Sequence, residues 1–246
     1  MPRNKYSWDE DKRPRRKRRL WVWLLLAPLL LLVSAGAVGA ILAFLVQSEF
    51  VRKADEFDLD RLERMESASM IYDRKGDLIG KIFIQNRDPI TYDRISPLLV
   101  QAVMSAEDQR FREHDGVDYW GVVRAAIANW SAGRIRQGAS TITQQLARNS
   151  FDLKERTYKR KLLEMALAQR IEKKFSKDKI MELYLNRVYF GGGLYGAEAA
   201  ARGYFGVSAT DLTAAQAAVL AGLLKSPNSL SPWTNPELSK ASRDYV

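Results

Sequence analysis

The stretch SPLLVQAVMSAEDQRFREHDG, residues 96–116, decides the fold of this chain. Ser96 and Pro97 are typical of a helix start, with serine at the N-cap and proline at the first helical position. We predict that this helix runs from Leu98 to about Phe111. Apolar residues recur at helical spacing from here almost to the end of the chain, so the sequence predicts a mainly α domain.

The same stretch places an acid on an apolar face. Leu99, Val103 and Glu107 are four residues apart and therefore lie on one side of the helix. A carboxylate there loses hydration, which favours its protonated form and suits it to general acid–base chemistry. The alternative is a glutamate at the edge of the face that reaches water near the helix end. Because His114 is the only histidine, a histidine-rich metal site is excluded.

Composition narrows the class of protein. The 246 residues are 46% hydrophobic and 28% charged, which is typical of a folded chain. The absence of cysteine excludes disulfides, thiolate metal sites and a cysteine nucleophile. Residues 1–19 hold nine basic and three acidic residues, so much of the net charge of +10 precedes the folded part. A nucleic-acid partner is therefore not expected, because such proteins carry a basic face on the fold itself.

An uncharged apolar segment follows the basic residues. Residues 20–46 are long enough for a helix of about 40 Å, which exceeds the ~30 Å hydrocarbon core of a bilayer. The positive charges before it predict that residues 1–19 are cytoplasmic and that the rest of the chain lies outside. A cleaved signal peptide is the alternative, but the segment is longer than such peptides are. Residues 47–67 then read as a charged juxtamembrane stalk, and residues 68–246 as the folded domain.

Short strands are predicted near the start of that domain. Residues 70–76 and 78–83 form a predicted hairpin that turns at Arg74–Asp77, and Ile90–Tyr92 adds a predicted short strand. The glycines at 191–193 are interpreted as a helix end and turn. The sequence contains neither a GxxxxGK[ST] phosphate loop nor a Rossmann glycine fingerprint.

A second acid lies within a predicted helix at Thr157–Lys174. Glu164 shares its face with apolar residues, and Arg160 and Lys161 precede it by four and three residues. Both cations can therefore reach its carboxylate. The alternative is an ordinary surface ion pair, which contributes little to stability.

The segment QGASTITQQLARN, residues 137–149, has the character of an anion site. Its glycine leads into a predicted helix N-terminus, whose free N–H groups attract anions. Arg148 follows one to two turns later. The alternative is an amphipathic helix with a capped start. The hydroxyl and amide side chains here are Ser140, Thr141, Thr143, Gln144 and Gln145.

Together these segments resemble the peptidoglycan glycosyltransferase domain of class A penicillin-binding proteins and monofunctional transglycosylases. Five blocks carry the resemblance, in order: EDxxFxxHxG at 107–116, GxSTIxQQxxxN at 138–149, RKxxE at 160–164, KIMELYLN from 179 continuing to Gly191, and LTxxQAAxLAGLLKxP at 212–227. Two positions depart from the usual pattern. Ala139 stands where many members have glycine, and Arg148 stands where many have lysine.

The resemblance implies a lysozyme-like, mainly α fold with a hydrophobic lobe that touches the outer leaflet of the membrane. It implies that lipid II, a disaccharide-peptide on undecaprenyl diphosphate, is added to a growing glycan chain with inversion at the sugar. Glu107 is then the base that takes the proton of the acceptor hydroxyl. Glu164 assists the departing diphosphate by organising a cation or metal.

The resemblance also assigns substrate-binding and supporting residues. Some members of the family use Mg2+ or Mn2+, and none of the matched blocks requires an organic cofactor. The implied partners are lipid II, the glycan, the membrane, and other cell-wall synthesis and division proteins. The assigned residues are Asp108, Phe111, His114, Ser140, Thr141, Gln144, Gln145, Arg148, Arg160, Lys161 and Asn186.

Two other functions remain open at this point. A lysozyme-like hydrolase or lytic transglycosylase also works with a glutamic acid and would cleave glycan. A non-catalytic scaffold would recruit cell-wall proteins through its anchor. Because the chain stops at Val246 within a helical pattern, we expect it to be a fragment of a longer protein, with a monofunctional enzyme as the alternative.

Overall fold

The computed structural model describes residues 16–65, 69–82, 86–133, 138, 140–153 and 157–246. These residues form mostly α-helix with a few short strands, so the predicted mainly α class is confirmed. The chain divides into two compact units, residues 1–49 and 50–246. The predicted basic tail falls largely on residues 1–15, which lie outside the described residues.

The described residues of the first unit, 16–49, belong to the long helix α1, Arg16–Asp55. Its described large apolar side chains between Trp23 and Val46 are exposed. Within the described part of the chain, α1 is the one helix long and apolar enough to cross a membrane by length and composition. The predicted helix at residues 20–46 is confirmed, with Pro28 inside it.

The second unit begins inside the segment predicted as a stalk. Phe50 and Ala54, on the last turns of α1, are buried in its core. Leu59 and Leu62, on a short 3-10 turn, are buried in the same core. Residues 50–62 therefore add apolar side chains to the domain. Arg170 strengthens this packing, because it donates to the Phe57 carbonyl at 3.2 Å and also to that of Ala54.

The predicted hairpin is confirmed. Strands β1, Ser69–Tyr72, and β2, Leu78–Ile82, pair in the antiparallel sense. The Asp73 carboxylate accepts the N–H groups of Lys75 at 2.7 Å and Asp77 at 2.8 Å inside the turn. Such side-chain-to-backbone bonds are the usual reason for aspartate in a turn.

A second sheet contains β3, Asn86–Arg87, β4, Tyr189–Gly191, and β5, Leu194–Tyr195, in the order β3-β5-β4. The β3 and β5 strands are parallel, whereas β4 and β5 are antiparallel. The glycines at 191–193 were correctly predicted to form a turn. They were wrongly predicted to end a helix, because they join β4 to β5.

The predicted strand at Ile90–Tyr92 is wrong. Ile90 and Thr91 are in neither helix nor strand, and a 3-10 turn begins at Tyr92. The physical reason is a side chain from far along the chain. The Asn186 amide donates to the Ile90 carbonyl at 2.7 Å and accepts its N–H at 3.0 Å. The backbone groups that a strand partner needs are therefore already bound.

Helices make up the rest of the second unit, and several begin at a capping hydroxyl. Thr141, Thr157, Ser176 and Thr213 each accept a backbone N–H from the first turn that follows. The helices are α2 at Pro97–Glu107, α3 at Tyr119–Ala132, α4 at Ile142–Ser150, α5 at Tyr158–Lys174, α6 at Lys177–Leu185, α7 at Ala197–Phe205, α8 at Ala214–Leu223 and α9 at Pro236–Tyr245.

Helix α2 is shorter than predicted. Ser96 and Pro97 start it as expected, although no side-chain cap bond forms at Ser96. It ends at Glu107 rather than near Phe111, because Asp108 adopts an extended φ of −160°. The Asp108 carboxylate accepts the N–H of Ile142 at 3.0 Å, and this tertiary bond turns the backbone out of the helix.

Candidate active site

Glu107 is the last residue of α2 and stands at the edge of the core. Leu99 and Val103 on the same face are fully buried, whereas Glu107 is half-buried. The Gln145 amide, from α4, donates to Glu107 Oε2 at 2.6 Å. Gln145 in turn accepts the hydroxyl of Tyr184, from α6, at 3.2 Å. Three helices therefore meet at this carboxylate.

Three side chains of the first block that follow Glu107, those of Asp108, Phe111 and His114, are buried. His114 Nε2 donates to the Asp108 carboxylate at 3.0 Å. Phe111 is fully buried, with its ring centroid 6.4 Å from that of His114 in an edge-on arrangement. The predicted supporting residues are thus brought together as a compact loop.

Sequence reasoning missed an ion pair that supports this loop. Lys177 Nζ lies 4.6 Å from the Phe111 ring centroid and donates to the backbone carbonyl of His114. The same ammonium pairs with Glu172 at 2.8 Å. Glu172 also accepts the Thr143 hydroxyl at 2.6 Å. Neither Lys177 nor Glu172 stands out in the sequence pattern. Only the tertiary structure therefore identifies this ion pair.

Gly116 joins the first block to the second. Its carbonyl accepts the Thr141 hydroxyl at 2.7 Å and the Gln144 amide at 3.4 Å. Its φ is +88°, and a Cβ added there would lie 2.8 Å from the backbone carbonyl carbon of Ala168 on α5. Only glycine combines this backbone conformation with this close approach.

A cation cluster surrounds the second acid. Glu164 is 1% exposed, with Arg160 Nη1 at 3.3 Å and Lys161 Nζ at 3.5 Å from its carboxylate oxygens. Neither oxygen accepts a hydrogen bond of good geometry, so these contacts are electrostatic. The sequence-based expectation that both cations reach Glu164 is therefore confirmed.

Lys161 connects this cluster to the polar segment before α4. Its ammonium donates to Ser140 Oγ at 2.8 Å and to Gln144 Oε1 at 2.5 Å. Burial lowers the pKa of Lys161; the charge of Glu164 opposes this shift, and the positive charges of Arg148 and Arg160 add to it. A cation in such surroundings gains from an anionic ligand that would offset the neighbouring charges.

Helix α4 links the two acids. Its adjacent residues Gln144 and Gln145 contact Lys161 and Glu107, respectively. Asn186 was predicted to bind substrate, but both polar atoms of its buried amide bind the backbone of Ile90. Its role in the described structure is to hold that segment.

A metal ion finds no ready set of protein ligands here. Across the described ranges, no group of three or more His, Cys, Asp or Glu side chains comes together. Glu164 has two buried carboxylate oxygens, but Arg160 and Lys161 face them and would repel a divalent ion. The described residues therefore do not form a protein-held site for Mg2+ or Mn2+.

Two open cavities lie apart from the predicted site residues. One of about 360 Å³ is lined by residues of α2 together with Tyr92, Arg112 and Thr210. The other, of about 380 Å³, is lined by Asp58, Arg61, Arg64 and Met65. Neither lining includes a predicted site residue.

Comparisons with known proteins point to one family. A family model described as Transglycosylase matches residues 75–246. Penicillin-binding protein 1A of Aquifex aeolicus (strain VF5) is 49% identical over 179 residues, which cover 73% of this chain and 25% of that protein. Penicillin-binding protein 1A of Escherichia coli (strain K12) is 41% identical over 224 residues, covering 91% of this chain and 26% of that protein.

A solved structure, penicillin-binding protein 1A from Haemophilus influenzae, aligns with a TM-score of 0.39 and 22% identity. The alignment covers 74% of this chain and 18% of that one. The chain spans about a quarter of the length of the curated relatives it matches.

Proposed function

Because the chain belongs to the transglycosylase family, we propose that it is a peptidoglycan glycosyltransferase that joins lipid II units into glycan strands. One observation carries this assignment. Helix α4 binds Glu107 through Gln145 and the cation cluster through Gln144. One short helix thus contacts both the candidate base for the acceptor and the cations that would bind a diphosphate.

The acceptor half of the reaction needs a base. A sugar hydroxyl is a poor nucleophile, and a positioned carboxylate can take its proton as it attacks. Glu107 fits this role because it is half-buried and keeps one oxygen, Oε1, that no donor among the described residues contacts. The new bond forms between the acceptor oxygen and the donor sugar's anomeric carbon, with inversion there.

The donor half needs positive charge rather than an acid. When the bond from the anomeric carbon to the diphosphate breaks, undecaprenyl diphosphate leaves with the electron pair. Preorganised cations stabilise such developing charge. Arg148, Arg160 and Lys161 supply it, and buried Glu164 holds the last two in place.

The substrate's lipid requires contact with a membrane. Helix α1 offers a span by length and composition, and the basic residues before it favour an N-terminus in the cytoplasm. Helix α3 adds a second apolar surface in the catalytic domain, which suits the outer leaflet. Its exposed large apolar residues are Tyr119, Trp120, Val122, Val123, Ile127 and Trp130.

The test is Glu107→Gln in the full chain, with purified lipid II as substrate. We expect polymer formation to fall by at least about 100-fold while lipid II binding is retained, because the amide cannot accept the proton. The matched control is Glu113→Gln, an exposed acid six residues later whose partner is Arg110. It should polymerise like the unchanged chain.

The same assay separates the other two functions. A lytic enzyme would shorten existing glycan and leave lipid II unconsumed. A scaffold would support growth equally well with Glu107→Gln in cells that depend on this protein. Either result, or full polymerisation by Glu107→Gln, would overturn the assignment.

A further inference from the structure

Tyr184 is a buried phenol that no step of the proposed reaction uses. It lies on α6 and is fully buried. Its hydroxyl donates to Gln145 Oε1 at 3.2 Å, and Gln145 Nε2 donates to Glu107 Oε2 at 2.6 Å. A single amide therefore stands between the tyrosine and the acceptor base.

The two bonds together select one orientation of the Gln145 amide. A glutamine side chain can rotate by half a turn and exchange its oxygen and nitrogen. In the exchanged orientation the amide oxygen would face the Glu107 carboxylate, which accepts but cannot donate. The Tyr184 hydroxyl stabilises the orientation observed in the structure, because it donates to the amide oxygen of Gln145. The nitrogen is then directed at Glu107.

The Tyr184 hydroxyl, which donates to Gln145, keeps its proton at neutral pH. Burial, together with the negative charge of Glu107, raises the pKa of Tyr184 well above its usual value. A neutral phenol therefore persists at neutral and moderately alkaline pH.

We propose that Tyr184 is a positioning residue for the acceptor base, acting by holding the Gln145 amide in the orientation that donates to Glu107. This inference rests on the proposed function. With Oε2 bound by Gln145, the other oxygen of Glu107 is the one that receives the acceptor proton. Gln145 then serves the base directly, besides any contact that it makes with the substrate.

The test compares Tyr184→Phe with Tyr204→Phe in the full chain. Each variant removes one hydroxyl, and the Tyr204 hydroxyl donates to the Phe190 backbone carbonyl at 3.0 Å, away from Glu107. We expect Tyr184→Phe to lower kcat roughly three- to tenfold, the value of one hydrogen bond, with KM changed by less than about twofold. The acid limb of its kcat profile should move to higher pH, because the Glu107 carboxylate loses stabilisation of its charged form. Tyr204→Phe should show neither change.

A double-mutant cycle tests whether Tyr184 acts on Glu107 through Gln145. If Tyr184 acts through Gln145, then Tyr184→Phe added to Gln145→Ala should lower kcat by less than about twofold. An undiminished effect in that background would overturn the proposal. So would a Tyr184→Phe variant whose kcat and pH profile match those of Tyr204→Phe.

The hydrogen bond between Tyr184 and Gln145 can also be tested without measuring enzyme activity. The side-chain N–H protons of Gln145, followed by nuclear magnetic resonance, should exchange faster with solvent in Tyr184→Phe and not in Tyr204→Phe. If the unchanged chain fails to polymerise lipid II, the proposed function fails, whereas this measurement still decides the contact. Unaltered exchange in Tyr184→Phe would rule out the positioning role.

Discussion

His114 donates from Nε2 to the Asp108 carboxylate at 3.0 Å, and both side chains are buried. The same carboxylate accepts the N–H of Ile142 at the start of α4. One acid therefore ties the loop after Glu107 to the helix that carries Gln144 and Gln145.

Replacing Asp108 should destabilise the domain as well as the site. Asp108→Ala leaves the buried donors of His114 and Ile142 without an acceptor, and we expect the free energy of unfolding to fall by about 2–4 kcal/mol. Equilibrium unfolding in urea measures it. The control is Asp115→Ala, an exposed acid of the same loop, for which we expect less than about 0.5 kcal/mol. Equal stability of the two variants would contradict the structural role of Asp108.

Gly116 should tolerate alanine far less well than another glycine of similar φ. Gly116→Ala forces a Cβ to 2.8 Å from a backbone carbon of α5 at a φ of +88°. Gly133 has a φ of +62° with open space around it. We expect Gly133→Ala to cost about 1 kcal/mol and Gly116→Ala more than about 3 kcal/mol, as thermal unfolding can compare. Similar losses would show that α5 does not approach Gly116 this closely.

Diphosphate binding should weaken at alkaline pH because of Lys161. Its pKa lies below that of an ordinary lysine, mainly through burial. As the pH rises through that lowered pKa, the ammonium loses its charge, so KM for lipid II should rise at a lower pH than an ordinary lysine would cause. Lys161→Arg stays charged and should move this limb to higher pH, with binding at neutral pH weakened roughly threefold by the changed geometry.

The control for that experiment is Lys159→Arg, two residues earlier and exposed. It should leave both KM and its pH dependence unchanged. If KM for lipid II rises at the same alkaline pH in Lys161→Arg as in the unchanged chain, Lys161 does not bind the diphosphate.

The exposed face of α3 should enter the lipid. The chain has no cysteine, so one introduced residue can be labelled without further changes. A fluorophore on Ile127→Cys should be quenched by brominated lipids in reconstituted vesicles, because Ile127 belongs to the apolar face. A fluorophore on Lys240→Cys, an exposed polar position on α9, should not be quenched. Equal quenching at both positions would refute a specific contact of α3 with the membrane.

Elements with local signals were predicted well from the sequence. The start of α2 at Pro97, the extent of α5 and the Asp73 turn all depend on side chains within a few residues. Arg160 and Lys161 reach Glu164 because helical geometry alone sets that spacing. The two candidate acids were therefore found without the structure.

Features set by distant partners were not predicted. The end of α2 depends on the bond between Asp108 and Ile142, which are 34 residues apart. The predicted strand at Ile90 was wrong because Asn186, 96 residues away, binds its backbone. The link from Tyr184 to Glu107 crosses three helices, and no periodicity in the sequence indicates it.

The adjacent positions of Gln144 and Gln145 restrict how such a chain can change in evolution. Neighbouring residues of a helix point about 100° apart, and these two use that angle to reach Lys161 and Glu107. Inserting or deleting one residue before them would rotate both away together. The contacts to the donor side and to the acceptor side are thus inherited as one unit, and α4 should tolerate no insertion or deletion before Gln144.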